Sequence, residues 1–248
     1  MRNMLRFELS GKAGETLNVQ IAPESMFKGD KLVATDTSRL PGYGTELVEA
    51  HVGNLPQFYM INDDCGIPTI ALHEDAEDNL IGWDLCGPKM YITLKIKFLE
   101  DCTWTGELHG ELETAKNDVS LHEAASGLRD ATDKLKRVKK TALAFQCQGE
   151  AGKEYDIETS PYMLFAGKKL IALDTIGNES TEIIGMFVNG SKQTPKLRIK
   201  VPTSSYAYNK KNNSMEFKTC APTENITLVI RFKETCTWKG VLFGDAAY

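Results

Sequence analysis

The sequence contains two similar copies of one segment. Residues 86–112 (CGPKMYITLKIKFLEDCTWTGELHGEL) align without a gap to residues 220–246 (CAPTENITLVIRFKETCTWKGVLFGDA), with 14 identical residues in 27 positions. Upstream, MFKGDKLVATDT (26–37) faces LFAGKKLIALDT (164–175), and the offset between partners changes from 138 to 134. Small length changes of this kind concentrate in surface loops. The pattern indicates a tandem duplication of a unit of about 110 residues, the size of one domain.

Alternating apolar residues predict the secondary structure of each half. In residues 92–98 (ITLKIKF) every second side chain is apolar, and residues 226–232 (ITLVIRF) repeat the pattern. Period two is typical of a strand with one buried face. The other runs that predict strands are TLNVQI, KLVATDT, ELVEAHV, FYMI, TIALHE and LIGWDL in the first half, and KLIALDT, EIIGMFV and KLRIKV in the second.

About eight short strands per half, separated by turn residues, are typical of a β-sandwich or barrel. We therefore predict an all-β protein made of two tandem antiparallel β-sandwiches. The jelly roll is the preferred form. An immunoglobulin-like order of strands stays open at this point, because one sequence does not reveal which strands pair.

One segment has helical periodicity. Residues 120–140 (SLHEAASGLRDATDKLKRVKK) place apolar side chains three or four positions apart, and Ser120 with Glu123 forms a capping box. We predict an α-helix that joins a first sandwich (1–113) to a second (142–248) through a connector (114–141). Its basic end suits the helix dipole, and it is also a candidate contact with an acidic membrane or nucleic acid. The residues of this basic end are Lys136, Arg137, Lys139 and Lys140.

The pentapeptides CTWTG (102–106) and CTWKG (236–240) follow the strongest strand of each half. If the chain turns back after Phe98 as an antiparallel hairpin, Cys102 faces Phe98 and Trp104 faces Ile96. A free cysteine behaves as a small hydrophobic residue, so core packing is a better interpretation than a metal or redox site. The predicted structural core of the repeats is Cys102, Trp104, Cys236 and Trp238.

The sequence lacks the usual signatures of catalysis. Its four histidines do not have the spacing of zinc ligands. The stretch GEAGKE (149–154) resembles part of a phosphate loop, but Cys147 stands where the first glycine of that motif is needed, and Glu154 stands where Ser or Thr is needed. Neither a G-x-S-x-G nor a G-x-G-x-x-G motif is present. We expect no enzymatic activity, no catalytic residue, no metal and no cofactor. The acidic loops NDDCG (62–66) and HEDAED (73–78) suit solvated loops better than calcium sites.

Composition limits the compartment and the partners. With 42% hydrophobic and 25% charged residues the chain is typical of a folded protein, and its net charge of −5 does not favour specific nucleic-acid recognition. The N-terminus lacks the apolar stretch of a secretory signal, so we expect synthesis in the cytoplasm. The six cysteines are then expected to stay reduced.

Aromatic residues in the loops raise an alternative function. Exposed rings that stack on sugars would suit a tandem β-sandwich binding module for carbohydrates or receptors. Local packing or a contact between subunits is the simpler interpretation of these rings, and an enzyme with an unfamiliar site is a third class. The candidate contact residues are Tyr43, Phe58, Tyr59, Tyr206 and Tyr208.

In its organisation the chain resembles the tandem (double) jelly-roll capsid proteins of icosahedral, often membrane-containing, bacteriophages. The resemblance covers the whole chain, as two similar β-barrels in one polypeptide with a helical connector and reduced cysteines. It rests on organisation and assigns no site residue. It implies a non-enzymatic virion structural protein, made in the host cytoplasm, that self-associates into homotrimeric capsomers and a larger shell. Other virion proteins are then further partners.

Overall fold

Each half of the chain forms a barrel, in which two antiparallel sheets enclose a core. The computed structural model describes residues 2–58, 65–76, 81–112, 138–177, 179–193, 201–210 and 217–247. The strands of the first half are β1 (Arg2–Gly11), β2 (Thr16–Ile21), β3 (Phe27–Asp36), β4 (Thr45–Val52), β5 (Leu55–Pro56), β6 (Ile67–Pro68), β7 (Leu85–Cys86), β8 (Ile92–Phe98) and β9 (Cys102–Leu112). Those of the second half are β10 (Val138–Gly149), β11 (Glu154–Thr159), β12 (Leu164–Asp174), β13 (Thr181–Val188), β14 (Ser191–Lys192), β15 (Val201–Pro202), β16 (Ile226–Phe232) and β17 (Cys236–Ala247). The 3-10 turns Thr69–Leu72 and Thr203–Tyr206 follow β6 and β15.

The order of strands identifies the fold of each half. The first half has the sheets β1-β9-β3-β7 and β2-β8-β4-β5, with β6 also on β4. The second has β10-β17-β12 and β11-β16-β13-β14, with β15 on β13, and a bridge between Phe165 and Cys220 stands where β7 stands in the first. The chain thus alternates between two sheets from β1 to β4 and again from β7 to β9. This alternation belongs to the jelly roll and not to the immunoglobulin-like sandwich. The predicted all-β class is confirmed.

Irregularities in the strands also recur between the halves. A bulge lies between Gly29 and Lys31 in β3, and another lies between Gly167 and Lys169 in β12. The strands β4 and β13 share a second bulge at equivalent positions. A bulge changes the direction in which the following side chains point. The two halves therefore agree in local backbone detail as well as in strand order.

The predicted hairpin between residues 92–98 and CTWTG is wrong. β8 pairs with β2 and β4, whereas β9 pairs with β1 and β3 in the other sheet. Trp104 therefore lies beside Leu9 and Asp36, not opposite Ile96. Residues 99–101 cross between the sheets, and the amide of Leu99 donates to the carbonyl of Gly44 at 2.8 Å. A three-residue link suits a hairpin or a crossover, so local sequence does not distinguish them.

Three predicted elements differ from the structure. TIALHE forms the 3-10 turn Thr69–Leu72, whose four residues are all buried, so its apolar character comes from burial on every side. LIGWDL contributes only Leu85 to a strand. The last residues of the predicted helix, Val138 to Lys140, belong to β10, which is held by its pairing with β17. Residues 113–137, and most of FYMI and KLRIKV, lie outside the described residues.

The described part of the chain contains no α-helix. Accordingly, none of its helical elements is long and apolar enough to span a membrane.

The sheet β10-β17-β12 lies between two cores. Its inner face contributes Leu143, Leu170 and Trp238 to the core of the second barrel. Its outer face is apolar as well and joins the buried cluster of the first half. The residues of this outer face are Ala142, Ala144, Ile171, Val241 and Phe243. The two barrels therefore share a continuous apolar contact.

Candidate functional site

A chain of buried hydrogen bonds ends at the tryptophan of CTWTG. Trp104 Nε1 donates to Thr69 Oγ1 at 3.1 Å, the hydroxyls of Thr69 and Thr45 are 2.8 Å apart, and Thr45 Oγ1 donates to Asp36 Oδ2 at 2.6 Å. A hydroxyl has one hydrogen, and Thr45 gives it to the carboxylate, so Thr69 must donate to Thr45. All four residues are at most 3% exposed. We call this chain the Asp-Thr-Thr-Trp network.

The second barrel repeats the network. Trp238 Nε1 donates to Thr203 Oγ1 at 3.2 Å, Thr203 lies 2.7 Å from Thr181, and Thr181 Oγ1 donates to Asp174 Oδ2 at 2.9 Å. The aspartate and the tryptophan belong to one sheet of the barrel. Thr181 belongs to the other sheet, and Thr203 belongs to the 3-10 turn. The network therefore connects the two sheets at one end of each barrel through charge-assisted and mutually polarising bonds.

The second carboxylate oxygen of each aspartate orders the loop that follows its strand. Asp36 Oδ1 accepts hydrogen bonds from Ser38 Oγ at 2.5 Å and the amide of Gly42 at 2.8 Å. Asp174 Oδ1 accepts from the amides of Ile176 and Gly177 at 3.1 and 2.9 Å. Both oxygens of each buried carboxylate thus have donors, as a buried charge requires. The network is a structural connection rather than a group available for catalysis.

The glycine of CTWxG is required by the indole. A Cβ at Gly106 would lie 2.3 Å from Cη2 of Trp104, and one at Gly240 would lie 2.3 Å from Cη2 of Trp238. Residues two apart on a strand share a face, so each indole covers the glycine that follows it. The repeated motif is explained by packing and by the network.

The cysteines are free thiols, with Cys102 half-buried and Cys236 buried. Burial, with Asp36 nearby, raises the pKa of Cys102 to about 11, and burial with Asp174 nearby raises the pKa of Cys236 to about 11. Both thiols are therefore protonated at neutral pH, and the thiolate is the reactive and metal-binding form. Among the described residues no cluster of three or more His, Cys, Asp or Glu side chains could hold a metal.

Two ion pairs join the barrels within the described residues. Lys239 Nζ on β17 binds Glu46 Oε1 on β4, with side chains that are 12% and 2% exposed. Lys139 Nζ on β10 lies 3.0 Å from Asp84 Oδ2 and 3.1 Å from Gln57 Oε1. The first pair lies at the end that carries the Asp-Thr-Thr-Trp networks, and the second lies at the opposite end, where β3 and β10 begin. The barrels therefore stand side by side with equivalent ends together.

The two barrels use different surfaces for this contact. The second barrel contributes the outer face of β10-β17-β12, and the first contributes Glu46 and the turn residues Ala71 and Leu72. Such a contact is heterologous, because each partner presents a different patch. At the network end a cleft of 450 Å³ remains between the barrels, with Tyr43, Leu99 and Ile176 in its lining.

The structure separates the five aromatic residues predicted to form contact loops. Phe58 and Tyr206 are only 5% and 6% exposed, so the prediction of accessible rings is wrong for them. Each fills one of the apolar cores and presents no ring face to a ligand. Tyr43 is half-buried in the cleft, and Tyr208 is half-buried against His73, with ring centroids 5.3 Å apart. Tyr59 lies outside the described residues.

The two described lysines of the predicted basic contact lie in different environments. Lys139 is bound to Asp84 within the chain and is not available to a partner, whereas Lys140 is exposed. Lys136 and Arg137 lie outside the described residues, as do residues 62–64 and 77–78 of the acidic loops.

Strand periodicity and the usual motifs do not point to the polar residues that organise the structure. These residues are Asp36, Thr45, Thr69, Glu46 and Lys239. A signal was available for some of them, because Asp-Thr recurs at 36–37 and 174–175, and Thr-Glu at 45–46 and 181–182. Identical polar residues at equivalent strand ends of two similar halves are the pattern that a buried network present in both halves leaves in the sequence.

Neither a family model nor a curated protein matches the sequence. Among solved structures, the crystal structure of the STIV MCP aligns with a TM-score of 0.52 and 10% identity over 99% of this chain and 96% of that chain. A structure of Sulfolobus Turreted Icosahedral Virus has a TM-score of 0.46, with 10% identity over 99% and 90% of the chains. The major capsid protein P2 from bacteriophage PM2 has a TM-score of 0.43, with 8% identity over 100% and 98%. The strand order and the likeness to the STIV MCP together show a fold of two jelly rolls in one chain.

Proposed function

We propose that this chain is a non-enzymatic virion structural protein, the capsid subunit of an icosahedral bacteriophage that assembles through trimeric capsomers. The likeness of fold to the STIV MCP supports the class of function. The observation that carries the proposal is the heterologous contact between two equivalent barrels, in which Lys239 of the second barrel binds Glu46 of the first.

Each barrel has both kinds of surface, but the contact inside the chain uses only one surface of each barrel. One copy of each surface is therefore still free. The first barrel still has the outer face of β1-β9-β3, and the second still has the surface equivalent to Glu46 and the turn Thr69–Leu72. If the same contact forms between chains, it generates a ring when the rotation closes. Three chains would supply six barrels to such a ring. The shared core and the two ion pairs hold the angle between barrels, as a shell subunit requires.

The remaining partners follow from this role. We propose self-association into a larger shell, contact with other virion proteins, and a location in the virion after synthesis in the host cytoplasm. The exposed Lys140 would support a weak contact with a membrane or the genome, without sequence-specific recognition.

Assembly state tests the proposal. The purified full-length chain is examined by size-exclusion chromatography with light scattering and by electron microscopy over a range of protein concentrations. We expect trimers, hexagonal capsomers or shells. A chain that stays monomeric at every concentration and binds glycans on an array would contradict the proposal and support the tandem binding module. Phe58 and Tyr206 are buried, so they do not provide the accessible rings that this alternative needs.

A further inference from the structure

We infer that the turn Asn189-Gly190 in the second barrel is a site of spontaneous chemical modification, at which Asn189 is converted to aspartate and isoaspartate in the folded protein. The dipeptide Asn-Gly occurs once in the chain, at this turn. The reaction needs water and neither an enzyme nor a partner chain. The inference is therefore independent of the proposed assembly.

The geometry of the turn favours this dipeptide. The turn joins β13 to β14, and Val188 pairs with Ser191 on either side of it. Asn189 has a φ of 47° and Gly190 a φ of 72°, so both residues lie in the left-handed region, as a two-residue type I′ turn requires. Asparagine and glycine adopt this conformation at the lowest cost. The fold thus keeps together the two residues that react with each other most readily.

The reaction is a ring closure followed by hydrolysis. The main-chain nitrogen of Gly190 attacks Cγ of Asn189, a new C–N bond forms, and the bond from Cγ to Nδ2 breaks. The side-chain nitrogen leaves as ammonia with the proton that the nitrogen of Gly190 gives up, and a cyclic imide remains. Water then adds to one of the two imide carbonyls and opens the ring. Opening on one side gives aspartate, and opening on the other gives isoaspartate, in which the main chain runs through the side-chain carbon.

The folded structure leaves the reacting groups accessible. Asn189 and Gly190 are both exposed, and the amide of Gly190 makes no hydrogen bond to a described residue. Glycine has no Cβ to block the approach of its nitrogen to the preceding side chain. A Cβ built at Gly190 would meet no atom within 4 Å, so neighbouring segments do not cover the turn either. Water can therefore reach the site without unfolding of the barrel.

The equivalent turn of the first barrel provides an internal comparison. Gly53 and Asn54 join β4 to β5, in the opposite order of residues. In both turns the amide of the first residue donates a hydrogen bond of 2.8 Å to a main-chain carbonyl directly before the strongest strand of its half. Asn54 is exposed, but Leu55 follows it, and the branched side chain of Leu55 shields the main-chain nitrogen. We therefore expect Asn54 to keep its amide where Asn189 loses it.

Modification changes the contacts of the turn. Asn189 Nδ2 donates to Glu224 Oε1 at 3.2 Å, and Glu224 Oε2 accepts from the amide of Ala221 at 2.9 Å. An ionised aspartate at position 189 has no side-chain donor, so two carboxylates face each other. An isoaspartate also adds an atom to the main chain of the turn and shifts the pairing of Val188 with Ser191. Each event adds one negative charge to a chain whose net charge is −5.

Ageing of the purified full-length chain tests the inference. The chain is incubated in mildly alkaline buffer, which favours loss of the proton from the nitrogen of Gly190, and peptide mass spectrometry with fragmentation follows positions 189 and 54. We expect progressive conversion of position 189 to aspartate and isoaspartate, with Asn54 unchanged. Asn189→Gly should abolish the conversion. Gly53→Asn/Asn54→Gly copies the labile order into the first barrel and should create a second site there.

The effect on the turn is measured separately. Asn189→Asp should lower the midpoint of thermal unfolding, because it replaces the donor to Glu224 by a carboxylate. Asn189→Asp/Glu224→Gln should recover the midpoint, since the glutamine amide can donate to the new carboxylate. Asn54→Asp is the matched control, because it places the same charge on the equivalent exposed turn and should change the midpoint little.

Two results would overturn the inference. One is an amide at position 189 that lasts as long as that of Asn54, and the other is conversion that occurs only after unfolding in urea. Size-exclusion chromatography of the same samples reports assembly, so the modification and the shell function succeed or fail independently.

Discussion

Trp104 Nε1 donates a hydrogen bond of 3.1 Å to Thr69 Oγ1, deep inside the first barrel. Trp238 makes the same bond to Thr203 at 3.2 Å in the second. A buried donor without an acceptor costs about 1–3 kcal/mol. Each indole is therefore held by a specific polar contact as well as by packing, and the threonine of the 3-10 turn connects it to the opposite sheet.

Replacing the central threonine tests this connection. Thr69→Val should lower the free energy of unfolding by about 1–3 kcal/mol, because Trp104 loses its acceptor and Thr45 loses its donor. Thr69→Ser keeps the hydroxyl and is the matched control. Urea unfolding followed by tryptophan fluorescence measures both variants. Equal stability of the valine and serine variants would show that the network contributes nothing.

The glycine beneath the indole gives a second prediction. Gly106→Ala places a methyl group 2.3 Å from the ring of Trp104, and overpacking of this kind costs about 1–3 kcal/mol. The near-ultraviolet circular dichroism of tryptophan should change as the ring moves. Gly14→Ala is the control, since its Cβ meets no atom within 4 Å and only its φ of +87° opposes a side chain. An unchanged tryptophan signal in Gly106→Ala would refute the packing explanation.

Removal of the lysine that joins the barrels should be severe. Lys239→Met leaves Glu46, which is only 2% exposed, without its partner, and breaking a buried pair costs about 3–5 kcal/mol. Lys239→Met/Glu46→Leu removes both charges and should recover most of the loss in thermal unfolding. Lys153→Met breaks an exposed pair with Glu150 and should change stability little. A Lys239→Met variant as stable as Lys153→Met would contradict the role of the contact.

The buried thiols predict a loss of stability in alkali. Burial is the main cause that raises the pKa of Cys65 from 9.0 to about 12 and that of Cys220 to about 11. A thiol whose folded pKa is raised stabilises the fold fully below pH 9 and loses this contribution as pH rises towards its folded pKa. Urea unfolding at pH 8 and pH 10.5 should therefore give a lower free energy at the higher pH. Cys65→Ala should reduce the difference, and a wild-type chain with no difference would oppose the prediction.

The local sequence pattern predicts the burial of Trp104 but not its neighbours. Period two correctly predicts that residues 92–98 and their copy form strands with one buried face. The hairpin inferred from the short link after Phe98 is wrong, yet Trp104 is fully buried. Both sheets of a jelly roll face one core, so an inward residue is buried whichever sheet its strand joins. Its neighbours, Leu9 and Asp36, depend on pairing over long sequence distances and have no local signal.

Residue patterns are enough to show that the chain has two similar halves, to predict short antiparallel strands in both, and to find CTWxG in each. Repeated blocks and period-two alternation are local properties, and they can be counted without a structure. The strand order, the Asp-Thr-Thr-Trp network and the surface on which the barrels meet follow from contacts between segments that are far apart in the chain. The exposure of Ala144 or Arg6 depends on what lies across the sheet face, and the packing of distant segments sets that partner.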